Sequence, residues 1–200
     1  RGLGDVYKRQ DEHVDGKPYG VDVLVPNSYV GKGENLTTDD LRAMIPQEHR
    51  DFRSDILEQY DLQASDLRSS ENSKELESNS NGVLGAGLDG AKEVLEVAFA
   101  HPISLVANAL GVPPKWMLEM GKEHNVPVAA LVGAKQHAVK QAEAGVDIIV
   151  VSGTEGGGHC GSVSTMVLVP EVRRALKDYG DVPILAAGGI CTGEQMAGVM

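Results

Sequence analysis

His159 closes the run Ile148-Ile149-Val150-Val151-Ser152-Gly153-Thr154-Glu155-Gly156-Gly157-Gly158-His159, an apolar β-branched stretch that opens into a glycine-rich loop. Imidazole titrates near neutral pH, so in such a place it can accept a proton or steady a negative charge. The glycines let backbone approach a ligand closely, because no Cβ stands in the way and positive φ costs little. Ala186-Ala187-Gly188-Gly189-Ile190 is a second candidate. Paired glycines ahead of a helix leave N–H groups to face a phosphate, and the helix N-terminus adds positive partial charge. Each motif alone has a plainer reading, as a flexible loop with an incidental histidine or a tight turn that needs glycine for its φ. His13, His49, His101, His124 and His137 lack such a setting and are expected to be ordinary surface or cap residues. Cys160 adjoins His159 but has no other basic neighbour, which argues against a nucleophilic thiol. Glu155 either orients His159 or faces solvent.

The elements around these motifs alternate. Tyr19 to Pro26 reads as a strand after the Gly16-Lys17-Pro18 turn signal. From Gly31 to Gly82 the character changes: Thr37-Thr38-Asp39-Asp40 caps a short helix, and Phe52, Ile56, Leu57 and Tyr60 recur near helical spacing. Ser65 to Asn81 is almost wholly polar and reads as a solvated insertion. Beyond it, Ala91, Val94, Leu95, Ala98 and Phe99 mark a helix with one buried face. A strand at Ile103–Ala107, a helix from Pro113-Pro114 to Met120, a strand at Val126–Val132 and an alanine-striped helix ending at Gly145 follow. The motif strand is Val146–Val151, and its unbroken apolar character predicts burial on both faces. A helix at Pro170–Lys177, a strand at Val182–Ala187 and a helix opened by Thr192 and Gln195 at capping-box spacing complete the order. Such βαβ units imply a parallel sheet, either an arc of a (β/α)8 barrel or an open doubly wound sheet. Five strands do not close a barrel that needs about eight.

Composition narrows the function. A net charge of −11 without a basic run argues against a nucleic-acid or anionic-membrane partner. No apolar stretch approaches the roughly 18 residues that span a bilayer, and no signal peptide opens the chain, so a cytoplasmic protein is expected. Cys160 and Cys191 match no metal spacing and are expected as free thiols; no metal site is expected. Residues 1–10, with Asp5-Val6-Tyr7-Lys8-Arg9-Gln10, resemble the translation of a sequencing adaptor, which leaves 11–200 as the fold-bearing part, with a polar insertion at about 31–82.

Together, Gly153-Thr154-Glu155-Gly156-Gly157-Gly158-His159 and Ala187-Gly188-Gly189-Ile190, about 30 residues on, resemble the nitronate monooxygenase (2-nitropropane dioxygenase-like) family. Tyr19-Gly20-Val21-Asp22 is similar to that family's Phe-Gly-Val-Asn strand, and Gly145-Val146-Asp147 to its Gly-Ala-Asp. The resemblance implies an FMN-containing (β/α)8 TIM barrel of which this sequence carries about strands 3 to 7, the first two and the eighth lying outside it. It implies His159 as the catalytic residue, Asp22, Ser152, Gly153 and Gly157 as flavin contacts and Gly188 and Gly189 as phosphate contacts. Ser152 stands where the family often has Gln, and Gly156 where it often has Ala. The implied activity is oxidation of alkyl nitronates by molecular oxygen. The alternatives are a flavin-dependent enoyl-acyl carrier protein reductase using NAD(P)H, or a non-catalytic phosphate-ligand binding fragment.

Overall fold

A computed structural model describes residues 3–25, 38–62 and 87–200. They belong to two compact units, residues 1–27 with 91–200, and residues 28–90. The expected polar stretch Ser65–Asn81 and the strand-ending Pro26 lie outside the described residues.

The first unit carries five strands, β1 (Gly20–Val23), β2 (Leu105–Asn108), β3 (Val128–Val132), β4 (Ile148–Ser152) and β5 (Ile184–Ala187). All pair parallel, in the order β1-β2-β3-β4-β5. Sequential neighbours without a reversal are the winding of a barrel; a doubly wound sheet would reverse its strand order at a switch point. Its helices are α1 (Leu3–His13), ahead of β1, and α4 (Gly87–Phe99, of which 91–99 lie in this unit), α5 (Lys115–His124), α6 (Lys135–Ala144), α7 (Thr165–Ala175) and α8 (Gly193–Val199). The described residues of the first unit thus carry five consecutive strands of a (β/α)8 barrel.

Register assigns the two faces. Val21, Val106, Val128, Ile149 and Ile184 share one side with Val23, Asn108, Ala130, Val151 and Ala186. Of these, Val23, Val106, Val128, Ala130, Ile149 and Val151 are buried, and Leu95, Met117, Ala138, Leu168 and Val172 of the helices supply the rest of the core. The other side carries Asp22, Leu24, Leu131, Ile148, Val150 and Leu185 and is only partly covered among the described residues. β4 is therefore not buried on both faces as its apolar run predicts: Ile149 and Val151 are buried, while Ile148, Val150 and Ser152 are half-buried.

α7 also departs from expectation, beginning five residues before Pro170 and holding that proline inside. Extended Ser164 delivers Thr165 as the first helical residue, and Leu168, Val172 and Leu176 form the buried stripe. Proline removes the bond to the Met166 carbonyl, one turn from the helix start and on an exposed residue, where water can replace it.

At the pole where strands begin, the Tyr19 hydroxyl donates to Asp11 at 2.5 Å and His101 Nδ1 lies 2.6 Å from the same carboxylate, tying α1 to the entries of β1 and β2. Burial and the Asp11 carboxylate push the Tyr19 phenol up to about 12, and the Tyr19 and His101 hydrogen bonds hold Asp11 below its ordinary value. At the opposite pole, Asn108 is fully buried at the end of β2. Its Oδ1 accepts from Val25 N–H at 3.1 Å, and its Nδ2 donates to the carbonyls of Leu110 and Gly111, each at 3.1 Å.

The second unit contains α2 (Thr38–Ala43) and α3 (Gln47–Gln59). Arg50 of α3 donates to the carbonyls of Arg42 and Ile45, closing the turn between them. The helical spacing of Phe52, Ile56 and Tyr60 is as the sequence predicts, yet all three side chains are exposed.

Asn108→Leu should lower stability by about 2–4 kcal/mol, because Val25 N–H and the Leu110 carbonyl lose their partner in a buried place. A urea midpoint that falls with unchanged slope is the expected result; an unchanged midpoint would show that the junction is not held by this amide.

Candidate active site

The two glycine loops leave adjacent strands at the same level, since Ser152 of β4 pairs with Ala187 of β5. Gly188 and Gly189 adopt φ of +96° and +72°, a left-handed turn that a side chain would strain. Space also excludes one: a Cβ on Gly188 would lie 2.8 Å from Gly156 N, and one on Gly189 2.6 Å from Glu155 Cβ. The loops that the sequence singles out separately are thus packed against each other.

Thr165 anchors the first loop. Its buried hydroxyl accepts from Gly153 N–H at 3.2 Å, and both its hydroxyl and its N–H reach Glu155 Oε2, at 3.0 and 2.8 Å. Glu155 therefore neither orients His159 nor merely faces solvent; it caps α7, whose own N-cap Ser164 makes no side-chain cap bond. The Thr165 N–H first, then Glu155's own N–H and the Thr165 hydroxyl, hold the carboxyl below the ordinary Glu range. Gly153 lies beneath this cap, where a Cβ would sit 2.2 Å from Thr165 N. Its N–H is taken by Thr165 and its carbonyl accepts from Gly156 N at 3.0 Å, so the structure gives this predicted cofactor contact a packing role.

Beyond the cap the loop turns into a cleft of about 600 Å³ at the C-terminal ends of the strands. Of the predicted site residues it brings together Ser152, Gly157 and His159, with Cys160 beside them. Leu24, Leu110 and Leu131 form its apolar wall. The His159 ring is exposed and has no hydrogen bond or ion pair among the described residues. Asp22 does not line the cleft; it lies two residues before Leu24 on the same face of β1, with its carboxyl raised by partial burial although the side chain remains largely exposed. Gly188 and Gly189 lie outside the cleft lining, against Glu155 and Gly156.

At the start of α8 the predicted capping box is present, with Gln195 N–H on Thr192 Oγ1 at 3.3 Å and Gln195 Oε1 accepting from Cys191 and Thr192 N–H. Those three N–H groups are thus occupied by the cap itself. Both cysteines are free and exposed. Among the described residues no group of three or more His, Cys, Asp or Glu could hold a metal, and no helix is long and apolar enough to cross a membrane. Sequence reasoning missed Thr165, Asn108 and Gln141. Of these only Asn108 left a signal, a polar residue directly after a predicted strand.

The family model for nitronate monooxygenase matches residues 12–200. A Mycobacterium tuberculosis protein named "Putative monooxygenase Rv1533" is 47% identical over 191 residues, covering 95% of this chain and 48% of the relative. This chain thus spans about half the length of that relative. Among solved structures, nitroalkane oxidase from Streptomyces ansochromogenes superposes with TM-score 0.66 at 20% identity, over 98% of this chain and 51% of that one. FabK from Thermotoga maritima superposes with TM-score 0.59 at 22% identity, over 100% of this chain and 43% of that one. At such identities these likenesses establish the fold alone.

Capping by Glu155 carries a pH signature. Because its folded carboxyl is depressed, the stabilisation is fully present above the ordinary Glu value of about 4.3 and is lost as pH falls through the lower folded value. The stability difference between the unsubstituted protein and Glu155→Gln should be constant near neutral pH and shrink in acid. A difference that persists unchanged to about pH 2 would rule out the carboxylate as the cap.

Proposed function

The chain belongs to the nitronate monooxygenase family, and from that premise we propose that it carries the flavin phosphate turn and the catalytic histidine of an FMN-dependent enzyme that oxidises alkyl nitronates with molecular oxygen. The observation that supports this most is the delivery of His159, with Ser152 and Gly157, into a cleft whose loop is braced on the Gly188–Gly189 turn.

The residues fit a flavin mononucleotide. A Cβ at Gly157 would meet nothing within 4 Å, so backbone there borders open space against which a flat ring system can lie. The turn at Gly188 and Gly189 would hold the phosphate through backbone N–H groups. Asp22 lies on the same face of β1 as the cleft-lining Leu24, two residues before it, and its carboxyl, raised by partial burial, suits a hydrogen bond to a polar ring edge. When bound there, FMN would supply the redox chemistry of the reaction.

The chain's own part is to bind, orient and manage protons. The imidazole of His159 takes the α-proton of a neutral nitroalkane, or, once protonated, donates to a nitro oxygen of the nitronate. The apolar wall of Leu24, Leu110 and Leu131 receives the hydrocarbon and thins the water around the anion, which strengthens the imidazolium's attraction for it. Among the described residues that line the cleft there is no Lys or Arg, and His159 is the basic side chain.

His159→Ala in the holoenzyme should retain flavin absorbance while nitronate turnover falls by about 10²–10⁴. Turnover at the level of the unsubstituted enzyme would remove the histidine from the mechanism. Anaerobic addition of NAD(P)H should leave the flavin oxidised; rapid bleaching would instead mark the enoyl-acyl carrier protein reductase reading.

A further inference from the structure

Leu110 is an exposed apolar side chain, 45% accessible, on a loop that is anything but loose. Asn108 Nδ2 binds the carbonyls of Leu110 and Gly111 at 3.1 Å each. From α6, Gln141 Nε2 reaches the same Gly111 carbonyl at 2.9 Å. Both amides are nearly inaccessible, Asn108 at 0% and Gln141 at 2%. Gly111 itself has φ of +73°, a sharp turn that presents Leu110 to the cleft. A scattered surface leucine needs no explanation. One whose backbone is gripped from two elements by buried side chains is a pre-organised binding group, because the entropy of ordering it has already been lost on folding.

Its position fits an alkyl chain. Leu110 follows β2 and His159 follows β4, with Leu131 of β3 flooring the space between them. Two strand spacings make that span roughly 10 Å, room for a chain of several carbons whose head group lies at the imidazole. Leu24, at the end of β1 and 63% exposed, extends the same apolar wall.

We propose that Leu110 is the specificity-determining residue of the cleft, gripping the hydrocarbon of the substrate, and that Asn108 and Gln141 are positioning residues that fix it there. The identity of the head group rests on the nitronate reading; the grip on the chain does not.

Cys160 lines the same cleft and provides a reporter that needs no turnover. In the holoenzyme, straight-chain carboxylates of increasing length, planar two-oxygen anions like a nitronate, should protect Cys160 from N-ethylmaleimide, with peptide mapping to separate it from Cys191. The half-protecting concentration should fall about fourfold per methylene along the stretch that reaches Leu110. Leu110→Ala should flatten that dependence and Leu110→Met restore it. Gln141→Leu, which keeps the leucine and releases its loop, should weaken the dependence at unchanged flavin content. With nitronates, the ratio of long-chain to short-chain kcat/KM should fall at least about tenfold in Leu110→Ala. A chain-length dependence that survives Leu110→Ala, or none in the unsubstituted enzyme, would overturn the proposal. Leu110-dependent protection by carboxylates without turnover of any nitronate would leave it standing and sink the nitronate reading instead.

Discussion

The bond network at Thr165 is the constraint on which the site depends. Its hydroxyl has one proton, which goes to Glu155 at 3.0 Å, so the 3.5 Å contact with the Ala187 carbonyl is weak and the lone pairs remain for Gly153 N–H. That allocation fixes where the loop leaves β4 and where α7 begins. Because Glu155 also sits against Gly189, the loop after β5 is set by the same group. One helix start thereby aligns the two glycine turns without any covalent link between them.

Asn108 does the comparable work on the other side of the cleft, where the ends of β1 and β2 and the Gly111 loop meet. In both places a buried polar side chain satisfies backbone groups that a parallel sheet leaves unpaired as its strands run out. This pole can carry polar residues in the core because each finds partners there. The one buried side-chain atom without a partner among the described residues is Gln141 Oε1, on the residue whose amide nitrogen holds Gly111. An orphaned acceptor costs stability. Its retention beside the loop that carries Leu110 accords with a side chain held for position rather than for stability.

Much of this architecture was legible in the sequence, and the departures have identifiable causes. The strands predicted from Ile103, Val126, Val146 and Val182 each begin two residues later, at Leu105, Val128, Ile148 and Ile184. Pro127 and Pro183 stand immediately before two of these starts; lacking an N–H, proline cannot begin the ladder, and apolar character alone does not register that. Before Ile148, Asp147 accepts from Val128 N–H at 2.8 Å and serves as the entry tie. The capping box was legible because its partners are three residues apart. The roles of Asn108 and Gln141 were not, since their partners lie 83 and 30 residues away. Glu155 was misread for the same reason: its partner is on a helix whose start the proline obscured.

The two departures from the resembled family pattern prove to be neighbours. A Cβ on Gly156 would lie 2.4 Å from Ser152 Oγ, so a serine hydroxyl in this orientation and an alanine at 156 cannot coexist without one of them moving. Ser152 and Gly156 are therefore one local solution rather than two independent substitutions. A hydroxyl tucked toward Gly156 leaves the cleft wider beside His159 than a longer amide directed into it would. Among the described residues the imidazole has no protein partner. On the function proposed above, its orientation then falls to whatever fills the cleft, and a base oriented by its own ligand is engaged only when that ligand is bound.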